Sequence, residues 1–259
     1  MPLDPYMMSM EDLKKAVVAQ ELAADSCMRS LGFTDWEPGA VRSWDPESFK
    51  EYDYFEYLDP ATVAVQGYPR PSADPELAVL NGPDPENGPS QEQMAAYEGY
   101  EQQTKTGRAI PEGGCFQEAR RKIYGQSAGL VELPADARNL AVLARSSAMS
   151  DSRVRRALAE WKNCVTAEGL SYESPVVPPN DIAWVNRDPS VPASEEEKRV
   201  ARIDAGCQKA ANVVGVYKSV RIAYEKHLVA SQQEKLTESR AILEKWKANA
   251  AALLKKNGG

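Results

Sequence analysis

Four cysteines, one histidine and a run of carboxylates set among aromatic rings are the residues of this chain that could do chemistry. The cysteines come in matched pairs. Cys27-Met28-Arg29-Ser30-Leu31-Gly32-Phe33 returns as Cys164-Val165-Thr166-Ala167-Glu168-Gly169-Leu170, and each copy has a later partner, in Gly114-Cys115 and Gly206-Cys207. No Cys-x-x-Cys exists and His227 stands alone, so zinc finds no usual ligand spacing and no metal is expected. Two disulfides are expected instead, and the repeat favours Cys27 with Cys115 and Cys164 with Cys207. They read as structural staples in an oxidising compartment rather than as reactive thiols.

The carboxylates Glu51, Asp53, Glu56 and Asp59 interleave with Tyr52, Tyr54, Phe55 and Tyr57, and Trp44 lies just upstream. In one reading Trp44, Glu51, Tyr52, Asp53, Tyr54, Glu56 and Tyr57 line a groove for a sugar, a basic peptide or a quaternary amine, with rings stacking and carboxylates steering. In the other the rings pack inward and the carboxylates face water. Catalytic constellations are missing: there is no Gly-x-Ser-x-Gly elbow, no phosphate-binding Gly-rich loop, and any triad would depend wholly on His227, which reads as an ordinary helical residue. No catalytic residue and no cofactor is therefore nominated. A carboxylate-dependent hydrolase of cell-wall glycan or peptide is the alternative, and it requires a close pair of buried carboxylates in a cleft.

The elements that must position these residues follow from pattern. At 259 residues and 42% hydrophobic content, the chain can build one large domain or two small ones. Its net charge of −7 argues against nucleic acid or an anionic membrane surface as partner. Charge is uneven: residues 34 to 101 hold 15 acidic against 3 basic side chains, and residues 195 to 259 hold 8 against 13. No apolar run reaches the roughly 18 residues that a membrane-spanning helix needs. The start at Met1-Pro2-Leu3-Asp4-Pro5 has no signal-peptide pattern, and disulfides without an export signal are reconciled if the natural precursor carries a signal or lipoprotein leader upstream.

Ser9 and Asp12 predict a capped helix over residues 10 to 30, stopped by Gly32. Residues 34 to 90 are rich in Pro, Asp, Glu and aromatics, and predict an irregular but packed insertion carried only by the first copy. Helices are expected from Ser90 to about Lys105, from Pro111 to Gly125, from Pro134, and from a Ser150 cap to Gly169. Ser194-Glu195-Glu196-Glu197 is the clearest capping box. After it the apolar stripe favours one very long helix to the C-terminus, with a hairpin bending near Ala230-Ser231-Gln232 as the other arrangement. Coiled-coil dimerisation through this helix competes with a monomer, although Arg221 and Ser231 interrupt the seam. Ala61–Val65 and Ser174–Val177 are the brief strand signals. The fold class is mainly α, a disulfide-stapled helical body built on a degenerate duplication. The first copy spans 1–149 and the second 150–259, packed as one globular unit.

With Pro2-Leu3-Asp4-x-Tyr6 before the first cysteine box, and Gly114-Cys115, Trp161-Lys162-Asn163-Cys164 and Asp204-x-Gly206-Cys207 after it, most of the chain resembles an uncharacterised family of secreted proteins and lipoproteins of actinobacteria. Val165 stands where that pattern tends to have Met, and the family's lipid-anchored cysteine is absent, in agreement with a trimmed leader. No catalytic residues are assigned in that family. Its members are often linked with envelope ABC transporters and their peptidoglycan-binding adaptors. The resemblance implies an extracytoplasmic, non-enzymatic protein, secreted or lipid-anchored at the cell surface. It would recognise an envelope protein, a peptide, or a cationic or sugar-like ligand.

Overall fold

A computed structural model describes residues 1–37, 55–70, 88–125 and 133–257. The fold is mainly α, as the pattern predicts, and among the described residues there is no strand. Its helices are α1 (Met10–Ser30), α2 (Pro60–Gln66), α3 (Gln91–Glu98), α4 (Gly114–Tyr124), α5 (Ala137–Ser150), α6 (Ser152–Ala167), α7 (Glu195–Ala210), α8 (Val213–Ser231) and α9 (Gln233–Asn257).

Local signals set most boundaries. The Ser9 hydroxyl accepts from the Asp12 N–H at 3.0 Å and starts α1 where expected. Ser90 and Gln93 form a full capping box, but α3 stops at Gly99 instead of reaching Lys105. Helix α4 begins at Gly114 rather than Pro111. Asp151, not Ser150, caps α6, while Ser150 ends α5 and donates to Ser146 O. The strand signal at Ala61–Val65 is overruled: Asp59 accepts from Thr62 N–H and Pro60 takes a first-turn position, so the segment winds into α2. Residues 174–177 form a turn. The single long C-terminal helix is also corrected, because Asn212 adopts a left-handed conformation and Gln232 breaks the ladder, leaving three helices.

The chain divides into two units that are interleaved in sequence, whereas the repeat divides it at 149 and 150. The first unit holds Met1–Leu3, the 55–70 segment and the chain from Ala137 to Gln233. Its core gathers Trp161, Tyr217, Tyr68, Val154, Val200 and Val220, with Phe55 set edge-on to Tyr217 at 5.2 Å. Arg221 Nε donates to Glu225 Oε1 at 2.6 Å inside this unit, and the Leu3 N–H donates to the other carboxylate oxygen, so the chain's start is pinned by a buried ion pair.

In the second unit α1 packs on α4, and Trp36 stacks on Tyr97 at 5.0 Å. Helix α9 brings Ala250, with Trp246 and Leu253, against Ala16, Ala19 and Ile123, and Asn249 donates to Ile123 O at 2.8 Å. Its apolar residues thus serve this unit's own core.

Each unit has its disulfide, Cys27–Cys115 and Cys164–Cys207, with Cα atoms 5.6 Å apart in both. The repeated box ends a helix in both copies, and Gly32 and Gly169 take the positive φ that stops it. The partners differ: Cys115 lies in the first turn of α4 and Cys207 in the last turn of α7. The bridges close 88 and 43 residues, which on the chain-entropy account corresponds to about 4 to 5 kcal/mol each. Replacing either pair by Ala is expected to lower the unfolding free energy by about 2 to 5 kcal/mol in urea titrations, whereas a change below about 1 kcal/mol would make the bridge incidental.

Candidate binding cleft

The site grows from the start of α7. Ser194 Oγ accepts from the Glu197 N–H at 3.1 Å, which fixes the first turn. The side chain of Glu197 does not fold back to complete the capping box. It is fully buried and reaches across the unit: Oε1 accepts from the Tyr68 N–H at 3.1 Å, and both oxygens accept from Arg187, Nε at 2.9 Å and Nη2 at 3.2 Å. A carboxylate taken out of water needs such compensation.

Arg187 does more than neutralise this charge. Its Nη2 also donates to Tyr68 O, and Nη1 donates to Val191 O at 2.6 Å, which ties off its own loop. That loop is stiffened further by Asp188, whose carboxylate accepts from the N–H and hydroxyl of Ser190; these bonds hold the Asp188 pKa below the usual carboxylate value. Close approach on the other side demands Gly67. A Cβ there would sit 2.5 Å from Ala193 Cβ and 2.7 Å from Glu197 Oε1, and its φ of +71° strains any other residue.

Tyr68 is therefore gripped through its N–H and its carbonyl, and a third hold acts on its ring. The phenol donates to Asp204 Oδ2 at 3.0 Å, and the ring stacks on Trp184 with centroids 6.3 Å apart. Asp204 lies two turns after Glu197 on α7 and is also fully buried. Its Oδ1 accepts from Trp161 Nε1 at 2.9 Å and Gln208 Nε2 at 3.0 Å. Burial raises the Asp204 pKa, and these three donors oppose the rise. Trp161 and Cys164 on α6 thus meet Asp204 and Cys207 on α7 as two adjacent rungs, one a hydrogen bond and one a disulfide.

Between the 65–70 segment and the 187–193 loop lies a cleft of about 550 Å³, within the usual size of small-ligand sites. Val65 and Pro69 line one side, Pro189, Val191 and Pro192 the other, and among the described residues no Asp or Glu lines it. Val65 and Val191 are 71% and 51% exposed. Two arginines line it in different states. Arg187 is neutralised by Glu197, whereas among the described residues Arg70 donates only from Nη2 to Pro179 O at 2.9 Å, and its buried Nε–H has no acceptor.

Of the residues nominated from sequence, none that is described lines this cleft. Phe55 is in the core, while Glu56 and Tyr57 are exposed, Tyr57 at 62%. Trp44, Glu51, Tyr52, Asp53 and Tyr54 lie outside the described residues. His227 is exposed on α8. The cleft residues Arg70 and Arg187, and Glu197 buried behind them, escaped sequence reasoning, because Glu197 reads as a cap and its partner Tyr68 is 129 positions away. The Pro-flanked motifs Tyr68-Pro69-Arg70-Pro71 and Asp188-Pro189 were the available signal. Among the described residues no group of His, Cys, Asp and Glu has the arrangement of a metal site, and no helix is long and apolar enough to cross a membrane. No protein-family model, curated protein or solved structure matches the chain.

Two outcomes check this construction. Arg187→Ala leaves Glu197 buried without its cation and is expected to cost about 3 to 5 kcal/mol in urea unfolding, and adding Glu197→Gln is expected to recover much of that loss. Burial makes folded Asp204 hold its proton above the ordinary carboxyl value of 3.8, so stability falls as pH rises from there to its raised pKa. Melting temperatures across that window should slope downward in the wild type and be flatter in Asp204→Asn; equal slopes would contradict the assignment.

Proposed function

We propose that this is an extracytoplasmic binding protein of the cell envelope, without enzymatic activity, and that the cleft between residues 65–70 and 187–193 is its binding site. One observation carries the reading: both cleft walls are fixed from behind by the buried Glu197–Arg187–Tyr68 clamp, while they present to the opening apolar side chains and an Arg70 that has no carboxylate partner among the described residues. A pre-formed site with few polar groups favours binding, because little ordering entropy is lost when it fills.

The fully buried carboxylates Glu197, Asp204 and Glu225 are engaged by Arg187 and Tyr68, by Tyr68, Trp161 and Gln208, and by Arg221 and Leu3. Among the described residues this arrangement leaves the alternative, a carboxylate-dependent hydrolase, without an acid–base pair in this cleft. The use of α9 inside the second unit's core speaks against a dimerisation module. Two disulfides are compatible with an oxidising compartment and thus with the envelope. Trp44, Glu51, Tyr52, Asp53, Tyr54, Glu56 and Tyr57 are proposed as a second recognition surface for an envelope protein or a cationic or sugar-like ligand; an association with an envelope ABC transporter belongs to the same proposal.

The test is amide NMR of the labelled full chain titrated with peptides and muropeptides. Shifts clustered at residues 65–70 and 187–193, abolished by Val65→Glu, are expected. Shifts that avoid both segments, or release of soluble products from peptidoglycan by the purified protein, would contradict the proposal.

A further inference from the structure

We infer that the cleft takes the free C-terminal carboxylate of an apolar peptide, with Arg70 as its anchor. The inference rests on the cleft being the binding site and goes beyond that reading by naming what fills it. The first ground is charge. Of the two guanidiniums at the cleft, Arg187 is answered by the Glu197 carboxylate, whereas among the described residues Arg70 is answered by the Pro179 carbonyl alone. Among the described residues no Asp or Glu lines the cleft and none pairs with Arg70, so its guanidinium has no described counter-charge there. A planar carboxylate matches the guanidinium fork better than any neutral group does. A cationic ligand is disfavoured at this cleft for the same reason.

The second ground is the shape and chemistry of the walls. Val65 and Val191 are large apolar side chains held mostly in the open on opposite sides, and Pro69, Pro189 and Pro192 make the surrounding backbone stiff. Exposed apolar surface beside a cation fits a ligand that is apolar along its body and anionic at its end. The third ground separates a peptide from a simple hydrocarbon acid. Gln66 and Ser190 also line the cleft, and their amide and hydroxyl groups can bond to backbone amides, whereas an alkyl tail would lie against them with nothing to offer.

Calorimetry and amide NMR on the disulfide-intact full chain test this with three probes: N-acetyl-Val-Pro-Val with a free carboxylate, the same tripeptide as its C-terminal amide, and octanoate. The free-acid peptide is expected to shift Val65–Arg70 and Arg187–Ala193. The amide should bind at least tenfold more weakly, and octanoate more weakly than the acid peptide. Arg70→Gln should erase the preference for acid over amide, with Arg70→Lys keeping part of it, and both should melt near the wild-type temperature because Arg70 makes one hydrogen bond. Equal binding of acid and amide would overturn the carboxylate assignment and leave the cleft as a binding site. Octanoate binding as tightly as the acid peptide would overturn the peptide assignment. No shift at these segments with the free-acid peptide at millimolar concentration would overturn the inference altogether.

Discussion

The first unit depends on one buried carboxylate. Glu197 sits at the start of α7 with no exposure to water, and a charge in that position is tolerated only because Arg187 and the Tyr68 N–H answer it. That requirement propagates. Arg187 must stay in place, so its loop is tied to Val191 O; Tyr68 must present its N–H, so the preceding residue approaches α7 so closely that only glycine fits. The two walls of the cleft are consequences of neutralising a single side chain. The same α7 carries Asp204, which holds Tyr68 by its phenol, and Cys207, which holds α6.

This arrangement divides structural polarity from functional polarity. The groups most suggestive of chemistry, the buried carboxylates, have all their described partners inside the fold, and they position rather than react. What the described residues leave open at the cleft is apolar surface, the Arg70 guanidinium, and the side chains of Gln66 and Ser190. Under the proposed reading, recognition at this site would rely on shape, one charge-assisted contact and a few neutral hydrogen bonds, while the second unit is organised around its own disulfide and its own core.

How much of this was legible in the sequence depended on the range of the signal. The cysteine pairing was readable because the chain writes the same box twice, and the start of α1 because Ser9 and Asp12 act within one turn. Residues 61–65 misled because β-branched Thr62, Val63 and Val65 suggest extended chain, while the Asp59-Pro60 start and the packing of Val63 and Tyr68 in the core decide for helix. The break at Asn212 was hidden since Asn has no proline's certainty, yet it tolerates the left-handed conformation. Glu197 was visible only as a capping residue; its real partners lie far away in sequence, and no local pattern encodes them. The cleft was missed for that reason, and attention went to the more conspicuous aromatic run.

The central claim is that Glu197 clamps the 67–70 wall in place before any ligand arrives. Native-state hydrogen exchange at the Tyr68 amide addresses it directly, since that N–H is bonded to the Glu197 carboxylate and to nothing in a helix. Protection approaching that of core α7 amides such as Ala201 is the predicted result. Exchange as fast as that of a strongly exposed loop amide such as Ile182 would show a wall that opens freely, and would contradict the account.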